Sequence, residues 1–389
     1  MNSNSQKLLN LIAKVVADSP QKRITFAEYM DLVLYHPHYG YYSSGTVQIG
    51  SQGDFFTSSS LGADFGELLG KQLVEIWSIL GQPPSFSFVE MGAGQGSLAG
   101  DILVYLQHYA PQLLKNLTYI IIDQSPGLVT RQQELLQPWL EQGVNIRWQD
   151  WQEIPENSLV GCCFSNELVD AFPVHQIVWQ ESKLQEVYLT LWEDKLGEVI
   201  AEPSTPQLAD YFTELGINFD NDNYPDGYRS EVNLAALSWL ETIANRLKKG
   251  YLITIDYGYN ATKYYHPQRI QGTLQCYYQH RRHNDPYLNP GCQDITSHVN
   301  FTALELWGES FGLQKVGLTQ QAMFLMSLGL GERLQALSDG TYNLQEILQR
   351  RDALHQLIDP TGLGGFKVLV QGKGLEGGEV LQGLRDGLV

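Results

Sequence analysis

Apolar positions in the first 80 residues recur with the period of an α-helix. They predict an amphipathic helix over residues 5–18 and another helix over roughly 60–80. Between these two, Thr25 and Glu28 form a capping-box pattern that predicts the start of a further helix. The loop between the helix that starts at Thr25 and the helix over 60–80 is rich in Tyr, Gly and Ser, so we expect it to pack over other residues.

From residue 85 onward, short apolar runs alternate with amphipathic helical segments. This alternation predicts a doubly wound α/β arrangement. The predicted strands cover residues 85–91, 117–123, 144–149, 159–165, 251–256, 314–319 and 366–370. One predicted helix directly follows the first strand, and the others lie near 126–141, 233–249, 301–311, 320–337 and 343–357. Interruptions at 171–228, which is rich in predicted strands, and at 258–300 indicate insertions that build a cap.

The composition limits the classes of partner. The chain has 389 residues, of which 43% are hydrophobic, so it can form a large core and two domains. Lys and Arg total 25 against 43 Asp and Glu, which gives a net charge of −18. That charge argues against binding to nucleic acid or to an anionic membrane. Residues 181–231 are especially acidic, and they are either a solvated face or a docking surface for a basic peptide.

The four cysteines show no C-x-x-C spacing. Cys162 and Cys163 lie within an apolar run, so we expect small core residues rather than a zinc site or a disulfide framework. No apolar run reaches the roughly 18–20 residues that a membrane-spanning helix needs. The first residues have no signal-peptide or transit-peptide pattern, which predicts a cytoplasmic protein.

The most informative segment is the end of the first predicted strand, where Glu90 precedes Gly92, Gly94 and Gly96 and a helical pattern follows. Such a turn lets a ligand approach the backbone and the free N–H groups of the helix start. A dinucleotide fingerprint has Gly or Ala where this chain has Ser97. A carboxylate suits a ligand with an ammonium and a sulfonium better than it suits a diphosphate. The turn therefore favours S-adenosylmethionine (SAM), with a dinucleotide or a plain strand–turn–helix as alternatives.

Acidic residues follow the next two predicted strands. In an open α/β sheet, ligands bind beyond the carboxyl ends of the strands. Asp123 is placed to accept hydrogen bonds from both ribose hydroxyls of a nucleoside. Asp150 and Trp151 are placed to bond the adenine amino group and to stack on its ring. The alternative for each is an ordinary surface or turn residue.

The fourth predicted strand leads to Asn166, Glu167 and Asp170. Methyl transfer is an in-line displacement, so catalysis depends on placing the nucleophile about 3 Å from the methyl carbon and on the surrounding charge. A guanidinium nucleophile needs carboxylates to orient it and to balance its charge. Glu167 and Asp170 are the best-placed pair, unless Asp170 caps a turn and Glu167 only anchors the loop.

The second insertion differs in charge from the rest of the chain. It contains four histidines and four other basic residues, Lys263, Arg269, Arg281 and Arg282, against Asp285 and Asp294. His280 and His298 are candidates for a general base or for part of a ligand set. The His, Asp and Cys residues here lack metal-ligand spacing, so we expect no metal and favour buried, hydrogen-bonded histidines.

Six blocks of sequence occur in an order that is typical of one family. They are Ile24–Tyr42, Gly53–Ser58, Glu90–Leu98, Ser165–Val174, Gly272–His280 and Asp294–Phe301. On these blocks the chain resembles the MidA-like family of class I SAM-dependent methyltransferases, which includes a mitochondrial complex I assembly factor that methylates a protein arginine. The resemblance implies a Rossmann-like sheet of seven strands with the last one antiparallel. It also implies SAM contacts at Glu90, Gly92, Gly94, Gly96, Asp123 and Asp150, and a reacting-group site at Asn166, Glu167 and Asp170.

The chain departs from the family in two places. Ser59 and Ser60 stand where relatives commonly have Pro and Glu, and Asp123 stands where Glu is usual. Because Ser60 replaces the usual glutamate, any role of that glutamate in the family is in doubt for this chain. The change from Glu to Asp123 keeps a carboxylate and is chemically mild. No mitochondrial presequence pattern is visible, so we expect a bacterial member.

These observations divide the chain into segments. They are an N-terminal helical and aromatic-loop segment (1–84), the first half of a SAM-binding domain (85–170), an acidic strand-rich insertion (171–228), the continued SAM-binding domain (229–257), a second insertion (258–300), and the end of the methyltransferase domain with a helical insertion near 320–360 (301–389).

The leading hypothesis is an arginine methyltransferase whose protein substrate is a subunit of an NADH dehydrogenase of the complex I type. A SAM-binding assembly chaperone with little catalysis and a small-molecule methyltransferase are the alternatives, and a dehydrogenase is the remote one.

Overall fold

In a computed structural model, the chain folds into two compact units. The structure describes residues 3–43, 57–193, 195–220, 224–279, 281–338, 343–377 and 380–385. The first unit contains the described residues within Met1–Gln48, Val169–Trp239 and Gly258–Leu304. The second unit contains those within Ile49–Leu168, Leu240–Tyr257 and Glu305–Val389.

The helices and strands are numbered in chain order. The helices are α1 (Ser3–Asp18), α2 (Phe26–Tyr35), α3 (Ala63–Ile79), α4 (Ser97–Tyr109), α5 (Pro111–Asn116), α6 (Pro126–Glu141), α7 (Gln207–Glu214), α8 (Leu234–Arg246), α9 (Ala261–Tyr264), α10 (Phe301–Ser310), α11 (Gln321–Leu328), α12 (Leu330–Ala336) and α13 (Leu344–Ile358). The strands are β1 (Arg23–Thr25), β2 (Phe86–Met91), β3 (Leu117–Ile122), β4 (Asn145–Trp148), β5 (Leu159–Asn166), β6 (His175–Gln180), β7 (Lys183–Trp192), β8 (Lys195–Ala201), β9 (Tyr228–Val232), β10 (Leu247–Asp256), β11 (Gly258–Tyr259), β12 (Gln275–Tyr278), β13 (Arg281–His283), β14 (Asp294–Thr296), β15 (Val299–Asn300), β16 (Gln314–Gln320) and β17 (Lys367–Lys373).

The first unit is built on antiparallel sheets. One sheet has the order β1-β7-β6-β9 with β8 on β7, a smaller one has the order β13-β12-β14, and β11 pairs with β15 in parallel. The predicted capping box is confirmed, since the Thr25 hydroxyl accepts a 3.1 Å bond from the Glu28 N–H. In return, the Thr25 N–H donates a 2.7 Å bond to the Glu28 carboxylate. These two bonds fix where α2 begins.

The second unit contains a seven-stranded sheet with the order β16-β17-β10-β5-β2-β3-β4. The pairs formed by β10, β5, β2, β3 and β4 are parallel, whereas β17 is antiparallel to both of its neighbours. This arrangement confirms the expected class I methyltransferase sheet, including the antiparallel last strand. Apolar side chains of α3 and α4 pack in one buried cluster with residues of β2, β3 and β5, which explains the unbroken apolar runs in these strands.

Several boundaries differ from the predicted ones, and two of the differences have a clear physical reason. The helical pattern over 320–337 forms two helices, because Gly329 adopts a left-handed backbone (φ 109°) that ends α11. Helix α8 ends at Arg246 rather than near 249, since Leu247 already pairs with Leu159 of the neighbouring strand. A bulge between Leu247 and Lys249 then brings the rest of β10 into register.

Other expectations can be compared with the structure directly. Cys162 and Cys163 are buried as predicted, with 1% and 0% of their surface exposed. Residues 44–56, which belong to the predicted aromatic loop, lie outside the described residues. Over the ranges that the structure does describe, no helix is both long and apolar enough to cross a membrane.

Candidate cofactor and active site

The glycine-rich turn joins β2 to α4, as the sequence predicts. Gly92, Gly94 and Gly96 all have positive φ angles, of 71°, 54° and 86°. A Cβ on Gly92 would lie 2.9 Å from a methyl carbon of Leu168, and one on Gly96 would lie 3.3 Å from Gln132. The turn therefore requires glycine for its backbone conformation and for its close neighbours. It places the N–H groups of the first turn of α4 at the carboxyl end of β2.

Glu90 lies on the strand before this turn and is 3% exposed. Its Oε2 accepts a 2.6 Å hydrogen bond from the hydroxyl of Tyr119 on β3. Burial raises the pKa of Glu90 to about 7, and the negative charge of Asp123 adds to this effect while the Tyr119 bond opposes it. A cationic ligand would remove the cost of ionising this buried carboxylate. Glu90 is therefore suited to a ligand with an ammonium or sulfonium group.

Gln132 of α6 holds three parts of the sheet edge together. Its Nε2 donates to the carbonyl of Gly94 at 2.8 Å and to Oδ2 of Asp123 at 2.7 Å. Its Oε1 accepts a 3.0 Å bond from the indole N–H of Trp148. The N–H of Ser125 donates to the other oxygen of Asp123 at 2.9 Å. Gln132 is fully buried, so this network sets the distance between the glycine turn and the Asp123 carboxylate.

Gln132 and Tyr119 were not among the site residues predicted from the sequence. One signal was available for Gln132, because it is a polar residue between Leu128 and Leu136 on the buried stripe of α6. A polar side chain at such a position needs hydrogen-bond partners. Tyr119 gave no comparable signal, since a tyrosine within an apolar strand is ordinary.

Asp150 and Trp151 lie beyond β4. Asp150 is exposed and caps the short turn Trp151–Glu153, where the Glu153 carboxylate accepts a 2.7 Å bond from the Asp150 N–H. The backbone carbonyl of Trp151 accepts a 3.1 Å bond from Nε of Arg246. The structure thus gives Asp150 a local capping role, and contact with adenine stays a prediction for both residues.

Asn166 and Glu167 follow β5 directly and lie together. Glu167 has a left-handed backbone (φ 51°), which costs a non-glycine residue on the order of 1 kcal/mol. Its N–H bonds to the carbonyl of Ile255 at 2.9 Å, so the neighbouring strand holds this conformation. Oε1 of Glu167 accepts bonds from the Asn166 amide at 3.0 Å and from the Ser58 N–H at 3.2 Å. Backbone strain that neighbours maintain in this way is typical of functional sites.

The turn at Ser58–Ser60 connects Glu167 to the glycine-turn helix. The hydroxyl of Ser97, the first residue of α4, donates to the Ser59 carbonyl at 3.3 Å. The Ser60 hydroxyl accepts a 3.1 Å bond from the Thr57 N–H. Of the two serines that depart from the family pattern, Ser60 bonds to the Thr57 N–H through its hydroxyl, and the Ser59 hydroxyl lies 3.1 Å from Oγ1 of Thr57.

Asp170 and His298 belong to the first unit. Asp170 lies in the short turn Val169–Ala171, is 5% exposed, and accepts a backbone bond from the Ser297 N–H at 2.9 Å. His298 stacks on Tyr259 with a centroid distance of 4.9 Å. Burial lowers the pKa of His298 to about 4, and the charge of Arg269 adds to this effect. His280 lies outside the described residues.

The sequence of residues 68–319 matches the model of a family of S-adenosyl-L-methionine-dependent methyltransferases. The chain belongs to this family. It is 29% identical to the human protein arginine methyltransferase NDUFAF7, with 99% of this chain and 88% of the human protein aligned. It is also 29% identical to the Drosophila melanogaster homologue, over 94% of this chain and 84% of that protein.

A solved structure agrees with this assignment. The methyltransferase is similar to a COG1565 superfamily member from Burkholderia thailandensis bound to S-adenosyl-homocysteine (SAH), with a TM-score of 0.86 and 30% identity. The similarity covers 99% of this chain and 96% of that one. The cofactor of this methyltransferase is SAM, and the glycine cradle and the buried carboxylate of Glu90 fit its shape and charge. Within the described ranges, no group of His, Cys, Asp or Glu residues is arranged to hold a metal ion.

Proposed function

We propose that this methyltransferase methylates an arginine side chain of a protein and that Glu167 orients the guanidinium. The observation that carries the proposal is the strained backbone of Glu167 together with the two bonds to its Oε1. A carboxylate fixed in this way accepts charge-assisted bonds from a guanidinium and balances its charge. Asn166 acts by holding this carboxylate, and Asp170 is the second acid of the proposal.

SAM supplies an electrophilic methyl group when it is bound. A protonated guanidinium has no free electron pair, so the reacting nitrogen would pass a proton to a base as the new N–C bond forms and the bond between the methyl group and the sulfur of SAM breaks, leaving SAH. Glu167 would orient the guanidinium and accept this proton. In the cofactor site, we assign the glycine turn and Glu90 to the amino-acid part of SAM, Asp123 to the ribose, and Asp150 and Trp151 to the adenine.

Two observations support a protein substrate. Relatives that align along nearly the whole chain are named protein arginine methyltransferases. The acidic stretch 181–231, with 12 acidic and three basic residues, suits a basic partner. The resemblance to the MidA-like family points to a subunit of an NADH dehydrogenase of the complex I type as the substrate.

The experiment uses a lysate of the organism that encodes this protein, after deletion of the gene. The purified methyltransferase is added with SAM labelled in its methyl group, and the proteins are hydrolysed to identify labelled methylarginine. We expect label in a protein band with the wild type and almost none with Glu167→Gln. Glu134→Gln, which changes an exposed carboxylate on α6, is the matched control.

Binding of SAH to each variant shows that the cofactor site is intact. Equal labelling by Glu167→Gln and the wild type would contradict the role of Glu167. Label found only in small molecules would show that the substrate is a small molecule rather than a protein.

A further inference from the structure

Two basic residues of the second insertion lie against one aromatic ring of the first unit. Nζ of Lys263 lies 4.4 Å from the ring centroid of Tyr259, and Cζ of Arg269 lies 4.7 Å from it. The imidazole of His298 is stacked on the same ring, with a centroid distance of 4.9 Å and an interplanar angle of 13°. Two cations and an imidazole thus contact the ring of one tyrosine.

A third cation, Arg282, adds to the positive charge that acts on His298. The charges that lower the pKa of His298, after burial, are those of Arg269, Arg282 and Lys263. Arg282 lies on β13 opposite Tyr277 of β12. His298 is therefore neutral near pH 7 and adds an N–H donor without adding a positive charge.

Within the described part of the chain, these three cations have no carboxylate partner, whereas some other basic side chains do. Arg229 of the same unit, for example, pairs with Glu198 at 2.8 Å. Among the described residues, by contrast, Lys263, Arg269 and Arg282 form no ion pair. Nε of Arg269 is buried and has no hydrogen-bond partner within the described part of the chain.

The contacts with Tyr259 do not account for this arrangement. A cation–π contact at an exposed site contributes roughly 0.5–1 kcal/mol. Repulsion between two like charges about 4 Å apart near a protein surface reaches about 4 kcal/mol and falls with distance. Both cations lie at the same ring, so their mutual repulsion opposes the attraction of each cation to it. Two carboxylates of the same unit, Glu231 and Asp294, accept hydrogen bonds from other residues, from the Thr273 N–H and the Tyr42 hydroxyl at 2.8 Å each.

We propose that Lys263 and Arg269, with His298, form a binding site for a phosphate-type oxyanion, and that Arg282 adds positive charge to it. A dianion compensates more of the three positive charges than a single carboxylate does. Its tetrahedral oxygens accept bonds from the fork of a guanidinium and from an ammonium at the same time. The buried Nε of Arg269 would gain the partner that it lacks. The site is independent of the proposed arginine methylation.

The experiment is a phosphorus NMR titration of inorganic phosphate with the full-length protein at constant ionic strength. SAH is present at saturation, so that the glycine turn of the other unit is occupied. Separate titrations with a nucleoside monophosphate and with a phosphoserine peptide distinguish the source of the phosphate group. Acetate at the same ionic strength tests the preference for a dianion.

We expect phosphate to bind the wild type and to bind Arg269→Gln about tenfold more weakly, since a charge-assisted contact is lost. Arg269→Lys should regain part of the affinity. Arg281→Gln is the matched control, because this exposed neighbour has its side chain on the opposite face of β13 and removes the same charge. An unchanged SAH affinity shows that each variant is folded.

Three results would overturn the proposal. They are the absence of phosphate binding by the wild type, equal binding by Arg269→Gln and the wild type, and equal weakening by Arg269→Gln and Arg281→Gln. The last result would show a diffuse electrostatic effect rather than a site.

Discussion

Oδ2 of Asp123 accepts a 2.7 Å hydrogen bond from the side-chain amide of Gln132. The orientation of this amide follows from its other partner, because the indole of Trp148 can only donate and therefore faces Oε1. Nε2 must then face Asp123 and the carbonyl of Gly94. One buried side chain thus couples the carboxylate assigned to the ribose with the glycine turn.

The substitution Gln132→Leu should weaken SAH binding by roughly tenfold to a hundredfold, because it removes the donor to Asp123 and leaves buried polar groups unpaired. Calorimetric titration with SAH measures the change. Gln133→Leu, at an exposed position of the same helix, should bind SAH like the wild type.

A double-mutant cycle with Asp123→Asn distinguishes a positioning role from a general loss of stability. If Gln132 acts through Asp123, the losses in SAH affinity will not add. Additive losses would show that the two residues act separately.

A second prediction concerns the stability of the cofactor-free protein at different pH values. Burial raises the pKa of Glu90 from an ordinary value of 4.5 to about 7, so the folded state holds this proton more tightly than the unfolded chain does. The stabilising effect is complete below about pH 4.5 and is lost as the pH rises to about 7, on the order of 3 kcal/mol in total. Glutamine does not ionise, so the stability of Glu90→Gln should not fall in this way. Relative to the wild type, the variant should therefore become more stable as the pH rises from about 4.5 to about 7. Urea unfolding at pH 5 and pH 8 measures the difference in free energy of unfolding between the variant and the wild type. An equal difference at both pH values would contradict a raised pKa of Glu90.

The same carboxylate should make SAM binding depend on pH. The ammonium and sulfonium of SAM favour ionised Glu90, so affinity should rise as the pH increases through about 7 and protons should be released on binding. Calorimetry in buffers of different ionisation enthalpy counts these protons. Glu90→Gln should bind SAM more weakly and without this proton release. If Glu90→Gln released the same number of protons on binding SAM, those protons would come from another group.

Two glycines with similar backbone angles provide a matched test of the turn. Gly96 has φ 86°, and a Cβ added there would lie 3.3 Å from Gln132, whereas Gly81 has φ 82° and open space around it. Both alanine variants should lose about 1–2 kcal/mol of stability from the left-handed backbone. Only Gly96→Ala should also weaken SAH binding, because it displaces Gln132. Equal SAH affinities for the two variants would argue against the coupling of the turn to Gln132.

The ion-pair cluster on α3 should stabilise α13. Arg350 makes two bonds to Asp64, of 2.8 and 2.6 Å, and Arg333 makes a third of 2.7 Å. Burial alone would raise the pKa of Asp64, but the bonds from Arg350 and Arg333 outweigh it and lower the pKa. Arg350→Met should therefore cost about 1–3 kcal/mol. Arg351→Met, at a half-exposed neighbour, should change stability by less than about 0.5 kcal/mol.

The pH dependence of this cluster has the opposite sign to that of Glu90. Asp64 has a lowered pKa in the folded state, so its contribution is present above the unfolded value and is lost as the pH falls. The difference between Arg350→Met and the wild type in urea unfolding should shrink in acid. A constant difference would show that Arg350 stabilises by packing alone.

The sequence by itself determined most of the elements of this fold. Helix and strand periods repeat every two to four residues, and the capping box at Thr25 and Glu28 is equally local. The glycine turn was also readable, because the glycines follow an apolar strand and precede a helical pattern. The family resemblance added the seven-stranded sheet and its antiparallel last strand.

The tertiary structure decided the electrostatics and the hydrogen bonding of the site. Tyr119 bonds to Glu90 across 29 positions of sequence, and Ser58 bonds to Glu167 across 109. The length of α8 depended on pairing between Leu247 and Leu159, which no helical pattern contains. Local periodicity specifies which face of an element is buried, but the partner of a polar group and the pKa of a carboxylate depend on which distant elements pack there. For that reason the sequence predicted Glu90, Asp123 and Glu167 as site residues, while only the folded chain showed that Gln132 joins Asp123 to the glycine turn.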